Sequence, residues 1–312
     1  MRGIDTREAI AFLECSGPDI YGLLSRANAA RIENRGLDVR LCGVVNAKSG
    51  SCTEDCKFCA QSEHNDSTAN CYPLIDDKGM VDAARNAEQN QATRFGIVTS
   101  GLAITDEKEI ATIEQAVKGI NCGLGIRSCA SLGKVSRETL LRLKEAGLTR
   151  YHCNLETAKS YFPQICSTRD WSEAADTVRT AIEIGLDTCC GGLFGLGESP
   201  AQRVELLHSI RELGVTSVPL NFFHPVPGNR LEHVTPLSPL ECLKIVAVAR
   251  LMMPDKEIRV CGGREHNLRD LQSWSLISGA DGLMVGGYLT TAGRDVQDDL
   301  QMIRDAGFMV KK

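Results

Sequence analysis

The chain has 312 residues, of which 43% are apolar, and its formal net charge is −5. This length and apolar content suffice for one barrel-sized domain or for two smaller ones. Because the net charge is small and no basic tract is present, we expect no nucleic-acid partner. No run approaches the roughly 18 apolar residues of a membrane helix, and the N-terminus does not resemble a signal peptide. We therefore expect a soluble, cytoplasmic protein with no membrane partner.

The number of cysteines is the most unusual feature of the composition. There are fourteen, which is many for a chain of this length. Disulfides are rare in the reducing cytoplasm, so metal or redox chemistry is expected for some of these thiols. Others are expected to pack as small buried hydrophobic side chains.

In chain order, a helical region at about residues 6–34 comes first, followed by apolar β-rich runs that alternate with amphipathic helical stretches. The predicted strands are residues 39–45, 93–100, 123–129, 150–156, 186–195, 217–223, 257–263 and 281–287. The predicted helices between them include residues 106–120, 136–147, 171–185, 201–214 and 238–252. Several of these helical stretches end at glycine, as helices commonly do.

Eight strand–helix units predict an α/β fold with a parallel sheet, and eight is the number that closes a (β/α)8 TIM-type barrel. An open doubly wound sheet is the alternative. We expect one domain over residues 1–312, with N-terminal helices at about 1–36, the barrel at about 37–290 and a C-terminal helical segment to 312. Active sites of such barrels form at the carboxyl ends of the strands.

A polar loop with three cysteines, "SGSCTEDCKFCAQSEHN", directly follows the first predicted strand. Cys52, Cys56 and Cys59 have the spacing C-x3-C-x2-C. A structural zinc site would need a fourth ligand, for which Cys71 is the candidate. Three thiolates suit a 4Fe–4S cluster better, because its fourth iron is left open for a small ligand.

At this position in a βα barrel, the three-cysteine motif resembles the radical S-adenosylmethionine (SAM) superfamily. With the segments "YHCNLETA", "CCGGLFGLGES", "SVPLNFFHPVPGN", "VARLMMPDKEIRVCGGRE" and "SGADGLMVGGYLTT", it resembles the biotin synthase family over about residues 38–291. The resemblance implies a radical SAM sulfurtransferase that converts dethiobiotin to biotin. It also implies SAM bound at the open iron, a reductant such as flavodoxin or ferredoxin, and a homodimer.

The resemblance implies roles for five residues near SAM. Phe58 matches an aromatic residue that approaches the adenine, and Arg169 matches an arginine that pairs with the SAM carboxylate. Asn154 and Glu156 match an N-x-D pair that contacts the SAM ribose and the substrate, although Glu156 replaces the Asp of the family. Two residues apart on one strand, they would share a face. Gly192 is expected to allow close backbone approach to SAM.

Two further residues are candidates for contacts to the substrate. Asn221 matches an asparagine that binds the ureido ring, whose donors and acceptor suit an amide. A buried amide satisfied by the protein itself is the alternative for Asn221. Lys48 ends the first strand segment, where it would either meet the substrate carboxylate or stay solvated.

Ligands of a second cluster only partly match the family pattern. Many biotin synthases hold a 2Fe–2S cluster with three cysteines and one arginine. Cys129, Cys189 and Arg259 match three of these ligands, but Gly96 stands where the second-strand cysteine is expected. A 2Fe–2S cluster with the usual ligands is therefore not expected.

Two cysteines outside the usual ligand set accompany the missing second-strand cysteine. Cys42 lies on the first predicted strand, and Cys261 follows Arg259 by two residues, so it points to the same side. We expect the four thiols to converge in one interior cavity and to hold a 4Fe–4S-type or sulfide-bearing auxiliary cluster; they are Cys42, Cys129, Cys189 and Cys261. Cys190 is a reserve candidate, and Cys153 is expected to point into the helix layer.

Two other function classes remain open from the sequence. One is a radical SAM enzyme that resembles biotin synthase but inserts no sulfur, such as a maturase or mutase, and the missing second-strand cysteine favours it. The other is an iron–sulfur or zinc protein without catalysis. The retained Asn154, Asn221 and Arg259 favour sulfur insertion into dethiobiotin.

Overall fold

A computed structural model describes residues 3–311. The strands within this range are β1 (Asp38–Lys48), β2 (Arg94–Thr99), β3 (Arg127–Ser131), β4 (Arg150–His152), β5 (Asp187–Cys189), β6 (Gly192–Phe194), β7 (Ser217–Phe222), β8 (Glu257–Val260), β9 (Gly282–Met284) and β10 (Met309–Val310). The α-helices are α1 (Thr6–Glu14), α2 (Asp19–Arg35), α3 (Asp77–Gln89), α4 (Glu107–Gly123), α5 (Arg137–Glu145), α6 (Trp171–Glu183), α7 (Pro200–Leu213), α8 (Pro239–Met252), α9 (Arg264–Leu268), α10 (Trp274–Ile277) and α11 (Val296–Asp305). Short 3₁₀ turns lie at Phe162–Gln164 and Arg269–Leu271.

The strands close into a parallel barrel. Their order is β1, β2, β3, β4, β5, β7, β8 and β9, and β9 pairs with β1. β6 continues the fifth barrel position and pairs with β7, while β10 adds a short parallel pairing at the start of β1. The predicted (β/α)8 barrel is thus confirmed, and the open doubly wound sheet is wrong because the first and last barrel strands are paired.

The N-terminal helices form an extra layer outside the barrel. α1 and α2 pack against α8, and the side chains of α8 are consequently buried from Cys242 to Met252 with the exception of Lys244. Within residues 3–311, none of the helices combines the length and apolar character needed to cross a membrane. The main core lies between the strands and the surrounding helices.

Local sequence signals explain where the two central helices begin. Ser199 and Ser238 cap α7 and α8, and each is paired with a side chain three residues later, Gln202 or Glu241, in a capping box. Proline occupies the first turn of both helices, where its missing N–H costs nothing.

The fourth and fifth barrel strands are shorter than predicted. β4 ends at His152 rather than at residue 156, and the fifth position is interrupted between β5 and β6. The interruption lies at Cys190 and Gly191, where a Cβ on Gly191 would collide with the Pro219 carbonyl oxygen. This break turns Cys190 away from Cys189 and into the hydrophobic core.

Candidate active site

A cavity of about 430 Å³ lies inside the barrel and reaches the loops at the carboxyl ends of the strands. All eight barrel positions and the three-cysteine loop contribute to its lining. It is the natural location for chemistry in this fold, because active sites of TIM-type barrels lie at this end.

The three-cysteine loop follows β1 and is fixed by two side-chain amides. Asn65 Nδ2 donates to the carbonyl oxygens of Cys56 and Cys59, at 3.2 and 2.8 Å. Asn229 Nδ2 donates to the carbonyl oxygen of Phe58 at 2.8 Å. Phe58 and Cys59 line the cavity, and burial raises the pKa of the Cys59 thiol to about 11. The loop therefore presents one of its thiols to the cavity on a backbone held in place.

These thiols fit an iron–sulfur cluster better than a single metal ion. All fourteen cysteines are free thiols. No three His, Cys, Asp or Glu side chains in residues 3–311 surround a common point suited to one ion. A cluster instead takes each thiolate on a separate iron, so its ligands need not meet at one point. Cys71, the candidate fourth zinc ligand, is exposed and contacts Ser51 Oγ at 3.0 Å.

Asn154 and Glu156 lie together at the cavity, but not on a strand as predicted. Both follow the end of β4, where Asn154 Oδ1 accepts from the Gly191 backbone N–H at 3.1 Å and the Leu155 N–H donates to the Gly191 carbonyl oxygen at 3.0 Å. Asn154 Nδ2 lies 3.4 Å from Glu156 Oε2, and both residues line the cavity. The Glu156 backbone has φ +65°, a left-handed conformation uncommon for a side chain of this kind. Burial raises the pKa of Glu156, although the charge of Arg169 lowers it.

Arg169 lies behind this pair rather than in the cavity lining. Its guanidinium sits over the Phe162 ring, 5.5 Å from the centroid. Its buried Nε has no hydrogen-bond partner in the described chain, residues 3–311. A carboxylate is a fitting partner for such a donor.

Gly192 has a packing reason to be glycine. A Cβ there would collide with the Glu156 carbonyl oxygen and would lie 2.7 Å from Leu206 Cδ2. Gly192 itself does not line the cavity. The close approach at this glycine is therefore made by the protein's own backbone, and its contact to SAM stays a prediction.

Asn221 lines the cavity and also joins two strands. Its Nδ2 donates to the Gly192 carbonyl oxygen at 3.1 Å, and its Oδ1 accepts from the Gly262 N–H at 3.0 Å. One amide hydrogen and one lone pair remain for a ligand. Lys48, for which a substrate contact and a solvated side chain were both open, is absent from the lining and pairs with Glu109 at 2.7 Å.

The four inner thiols line the same cavity as Arg259; they are Cys42, Cys129, Cys189 and Cys261. Their surroundings differ. Burial raises the pKa of Cys129 to about 12. Burial also opposes ionisation of Cys189, but His152 and Arg150 outweigh it and lower the pKa of Cys189 to about 7. Cys153 packs against the hydrophobic core, as predicted, and does not line the cavity.

Arg259 has a free donor beside these thiols. Its Nη2 binds Glu257, while its buried Nη1 has no partner within residues 3–311. Burial opposes its charge, but Cys42 and Glu257 keep the pKa of Arg259 well above its usual value. A permanent cation with an unused N–H fits an anionic group such as an iron–sulfur cluster with its thiolates.

A partly buried ion network lies at the amino-terminal end of the cavity, and sequence reasoning missed it. Arg94 Nη2 pairs with Asp187 Oδ2 at 2.7 Å, and Arg150 Nη1 pairs with Glu257 Oε1 at 3.2 Å. The alternation of side chains along a strand could have indicated part of this network. Glu257 precedes Arg259 by two residues and therefore points to the same side.

Two histidines at the opposite end were also missed. His224 and His266 line the cavity, and their rings stack with centroids 3.5 Å apart. Tyr288 Oη donates to Glu265 Oε1 at 2.7 Å nearby. His224 and Tyr288 lie in loops after β7 and β9, and Glu265 and His266 lie in the short helix α9 after β8. In such short segments no periodic pattern marks a position as inward-facing.

Comparison with known sequences decides the family. Residues 48–210 match the radical SAM superfamily, and residues 219–309 match the biotin and thiamin synthesis associated domain. A biotin synthase from Geotalea uraniireducens (strain Rf4) is 49% identical over 298 residues, which cover 96% of this chain and 91% of that protein. One from Geobacter sulfurreducens (strain ATCC 51573 / DSM 12127 / PCA) is 48% identical over 309 residues, 99% and 94% of the two chains. The chain belongs to the biotin synthase family.

As a member of the biotin synthase family, the chain is a radical SAM enzyme, as predicted, and the alternative of an iron–sulfur or zinc protein without catalysis is wrong. Solved structures agree on the fold. A methylornithine synthase superposes with a TM-score of 0.87 at 19% identity, covering 99% of this chain and 95% of that one. A maturase of the FeFe-hydrogenase from Carboxydothermus hydrogenoformans gives 0.85 at 18% identity, covering 99% and 76%. At such low identity these likenesses support the barrel fold alone.

Proposed function

We propose that this chain converts dethiobiotin to biotin by radical sulfur insertion. The observation that carries the proposal is a single cavity lined by one thiol of the three-cysteine loop and by all four inner thiols. Cys59 of the three-cysteine loop lies at its carboxyl-terminal end, and the four inner thiols lie deeper, beside Arg259. A substrate between the two would meet the radical source on one side and the sulfur source on the other.

Cys52, Cys56 and Cys59 would hold a 4Fe–4S cluster whose open iron binds SAM. When bound, this pair supplies the 5′-deoxyadenosyl radical that abstracts hydrogen from the substrate. The protein's task is to orient SAM, which we assign to Phe58, Asn154, Glu156, Arg169 and Gly192. The partnerless Nε of Arg169 supports its share of this task.

The inner thiols would hold the auxiliary cluster that supplies the sulfur; they are Cys42, Cys129, Cys189 and Cys261. We propose a 4Fe–4S-type cluster, or a relative that carries an extra sulfide, rather than a 2Fe–2S cluster. Gly96 lines the cavity at the place of the missing ligand and offers no thiol. Arg259 would add charge compensation or a direct contact through its free Nη1.

Asn221 and Asn154 would orient dethiobiotin. Asn221 keeps one amide hydrogen and one lone pair beyond its two backbone contacts, which matches one N–H and one carbonyl contact to a ureido ring. The lining of the cavity is more apolar than polar, which favours the exclusion of water around a radical.

Several wider features belong to the same proposal. We infer a cytoplasmic homodimer that receives electrons from a flavodoxin or ferredoxin. We also infer that the whole chain acts as one domain, because the two family matches lie in one closed barrel.

The test is product analysis by mass spectrometry. The chain is reconstituted without oxygen with iron and sulfide, then given SAM, a reductant and dethiobiotin. We expect biotin together with 5′-deoxyadenosine. The variant Cys52→Ala should form neither, whereas Cys122→Ala, at an exposed cysteine of α4, should form both. Deoxyadenosine without biotin would reject sulfur insertion and favour another radical reaction.

A further inference from the structure

Cys166 is a thiol that the reaction does not use, yet it touches a proposed cluster ligand. It lies between the 3₁₀ turn Phe162–Gln164 and α6, and its Sγ is 3.6 Å from Cys56 Sγ. Within residues 3–311 this is the only hydrogen bond between two thiols. Cys56 is 7% exposed and Cys166 is 3% exposed, so water does not separate them.

The two loops that carry these thiols are held together on both sides of the pair. On one side, the Lys57 N–H donates to the Ile165 carbonyl oxygen at 3.0 Å. On the other, Asp55 accepts from the Ser167 N–H and hydroxyl, both at 2.7 Å. The pair is therefore preorganised, because closing a bond between the sulfurs requires little further ordering of the chain.

We propose that Cys56 and Cys166 form a reversible disulfide when the chain lacks its 4Fe–4S cluster and meets peroxide. The proposal rests on the proposed function only in taking Cys56 as a cluster ligand. Bound to iron, Cys56 has no free sulfur to react. Without iron, Cys56 keeps Cys166 as a hydrogen-bonded thiol partner at 3.6 Å, whereas no such bond joins it to Cys52 or Cys59 in residues 3–311.

The chemistry is balanced with hydrogen peroxide as the oxidant. One thiol attacks peroxide, so that an S–O bond forms, the O–O bond breaks and water leaves, giving a sulfenic acid. The second thiol then attacks that sulfur, the S–O bond breaks, the S–S bond forms and a second water leaves. Two thiols lose two electrons and two protons, and peroxide is reduced to two waters.

Such a bond would act in two ways. It would keep Cys56 from the irreversible sulfinic and sulfonic states, because a disulfide is restored by thiol exchange. It would also block cluster assembly until reduction, because one of three ligands is occupied.

The test is peptide mapping without a reducing step. The full-length, iron-free chain is treated with a small excess of hydrogen peroxide, alkylated and digested. We expect a cross-linked peptide pair containing Cys56 and Cys166, lighter by two hydrogens than the separate peptides. We also expect loss of cluster loading, read as the iron–sulfur absorbance after reconstitution, and recovery after dithiothreitol. Neither readout depends on biotin formation.

Matched variants separate this bond from general oxidation. Cys166→Ser should load its cluster before peroxide treatment. After treatment, the same peptide mapping should find no cross-link at Cys56. Cys122→Ser should behave like the unchanged chain. A cross-link of Cys56 to Cys52 or Cys59, or a sulfinic acid at Cys56 with Cys166 still free, would overturn the proposal. Failure of the chain to make biotin would leave the proposal of this disulfide intact.

Discussion

At the scale of single residues, the inner thiols differ in how easily they lose a proton. Cys189 lies beside His152 and Arg150, which lower its pKa to about 7, whereas burial raises the pKa of Cys129 to about 12. Since the thiolate is the metal ligand, Cys189 is expected to bind iron first at neutral pH.

Removing His152 should make Cys189 less reactive. In the iron-free chain at pH 7, we expect Cys189 to be alkylated by iodoacetamide well before Cys129. His152→Gln takes away the group that lowers the pKa of Cys189, so alkylation of Cys189 should then require a higher pH. Mass mapping of alkylation against pH measures this. An unchanged profile in His152→Gln would contradict the assigned cause.

The ligand set of the auxiliary cluster can be tested by substitution. Cys42→Ser and Cys261→Ser should lower iron content after anaerobic reconstitution and abolish biotin formation, because each removes a thiol that lines the cavity. Cys190→Ala is the matched control: Cys190 adjoins Cys189 but packs into the hydrophobic core, so its iron content should stay unchanged. Full iron and full activity in both serine variants would reject the proposed ligands.

At the scale of elements, the backbone crowds some glycines and leaves others room. Gly192 presses against the Glu156 carbonyl oxygen where the loop after β4 meets β6, whereas a Cβ on Gly96 of β2 would lie 3.2 Å from Val44 Cγ1. Relieving the clash at Gly192 requires two backbone segments to move apart. At Gly96, one valine side chain can adjust without moving the backbone.

Alanine at these two glycines should therefore have unequal effects. Gly192→Ala should lose about 1–3 kcal/mol or more of unfolding free energy, as overpacked sites do. Gly96→Ala should stay within about 1 kcal/mol of the unchanged chain, because the small strain is offset by a less flexible unfolded state. Thermal or urea unfolding of both variants makes the comparison. Equal losses would show that the crowding at Gly192 is relieved by movement.

The elements also show which parts of the molecule the sequence could predict. Apolar periodicity was sufficient for eight βα units, because each strand and helix has one face that must be buried. It was not sufficient for the break between β5 and β6 or for the end of β4. These depend on Gly191, whose position is set by contacts with the distant Pro219 and Asn154.

The site was predictable to the extent that it lay in compact motifs or followed strand parity. The three-cysteine loop and the inner thiols meet this condition. The ion network was missed because Arg94, Arg150 and Glu257 stand at the first positions of their strands. Charged residues at strand ends are most often solvated, and only the closed barrel brings these three inside.

At the scale of the whole molecule, this network should make stability depend on pH. The side chain of Glu257 is 6% exposed and accepts from Arg150, Ser217 and Arg259. Burial opposes its charge, but the arginines hold the pKa of Glu257 well below its usual range. A carboxylate with a lowered pKa stabilises the fold above its unfolded pKa of about 4.3, and this contribution is lost as the pH falls towards the folded value.

Glu257→Gln should therefore be strongly destabilised near neutral pH and less so in acid. We expect a loss of about 3–5 kcal/mol at pH 7, because buried arginines lose their partner. The difference in the free energy of unfolding between Glu257→Gln and the unchanged chain should become smaller below about pH 4. Glu109→Gln, which breaks the partly exposed pair with Lys48, should cost no more than about 1 kcal/mol. Urea unfolding across pH measures both variants. An unchanged free energy of unfolding in Glu257→Gln at pH 7 would contradict the role of the network.

The same network sets the order in which the barrel can be filled. Because Arg94, Arg150 and Glu257 occupy the amino-terminal end, everything that reaches the inner thiols passes the loops at the other end. A cavity that opens at one end only is filled from its inner end outward and is emptied in the reverse order. With the proposed sulfur donor on the inner thiols, iron and sulfide would have to arrive before the substrate, and a spent donor would be rebuilt only after the product had left.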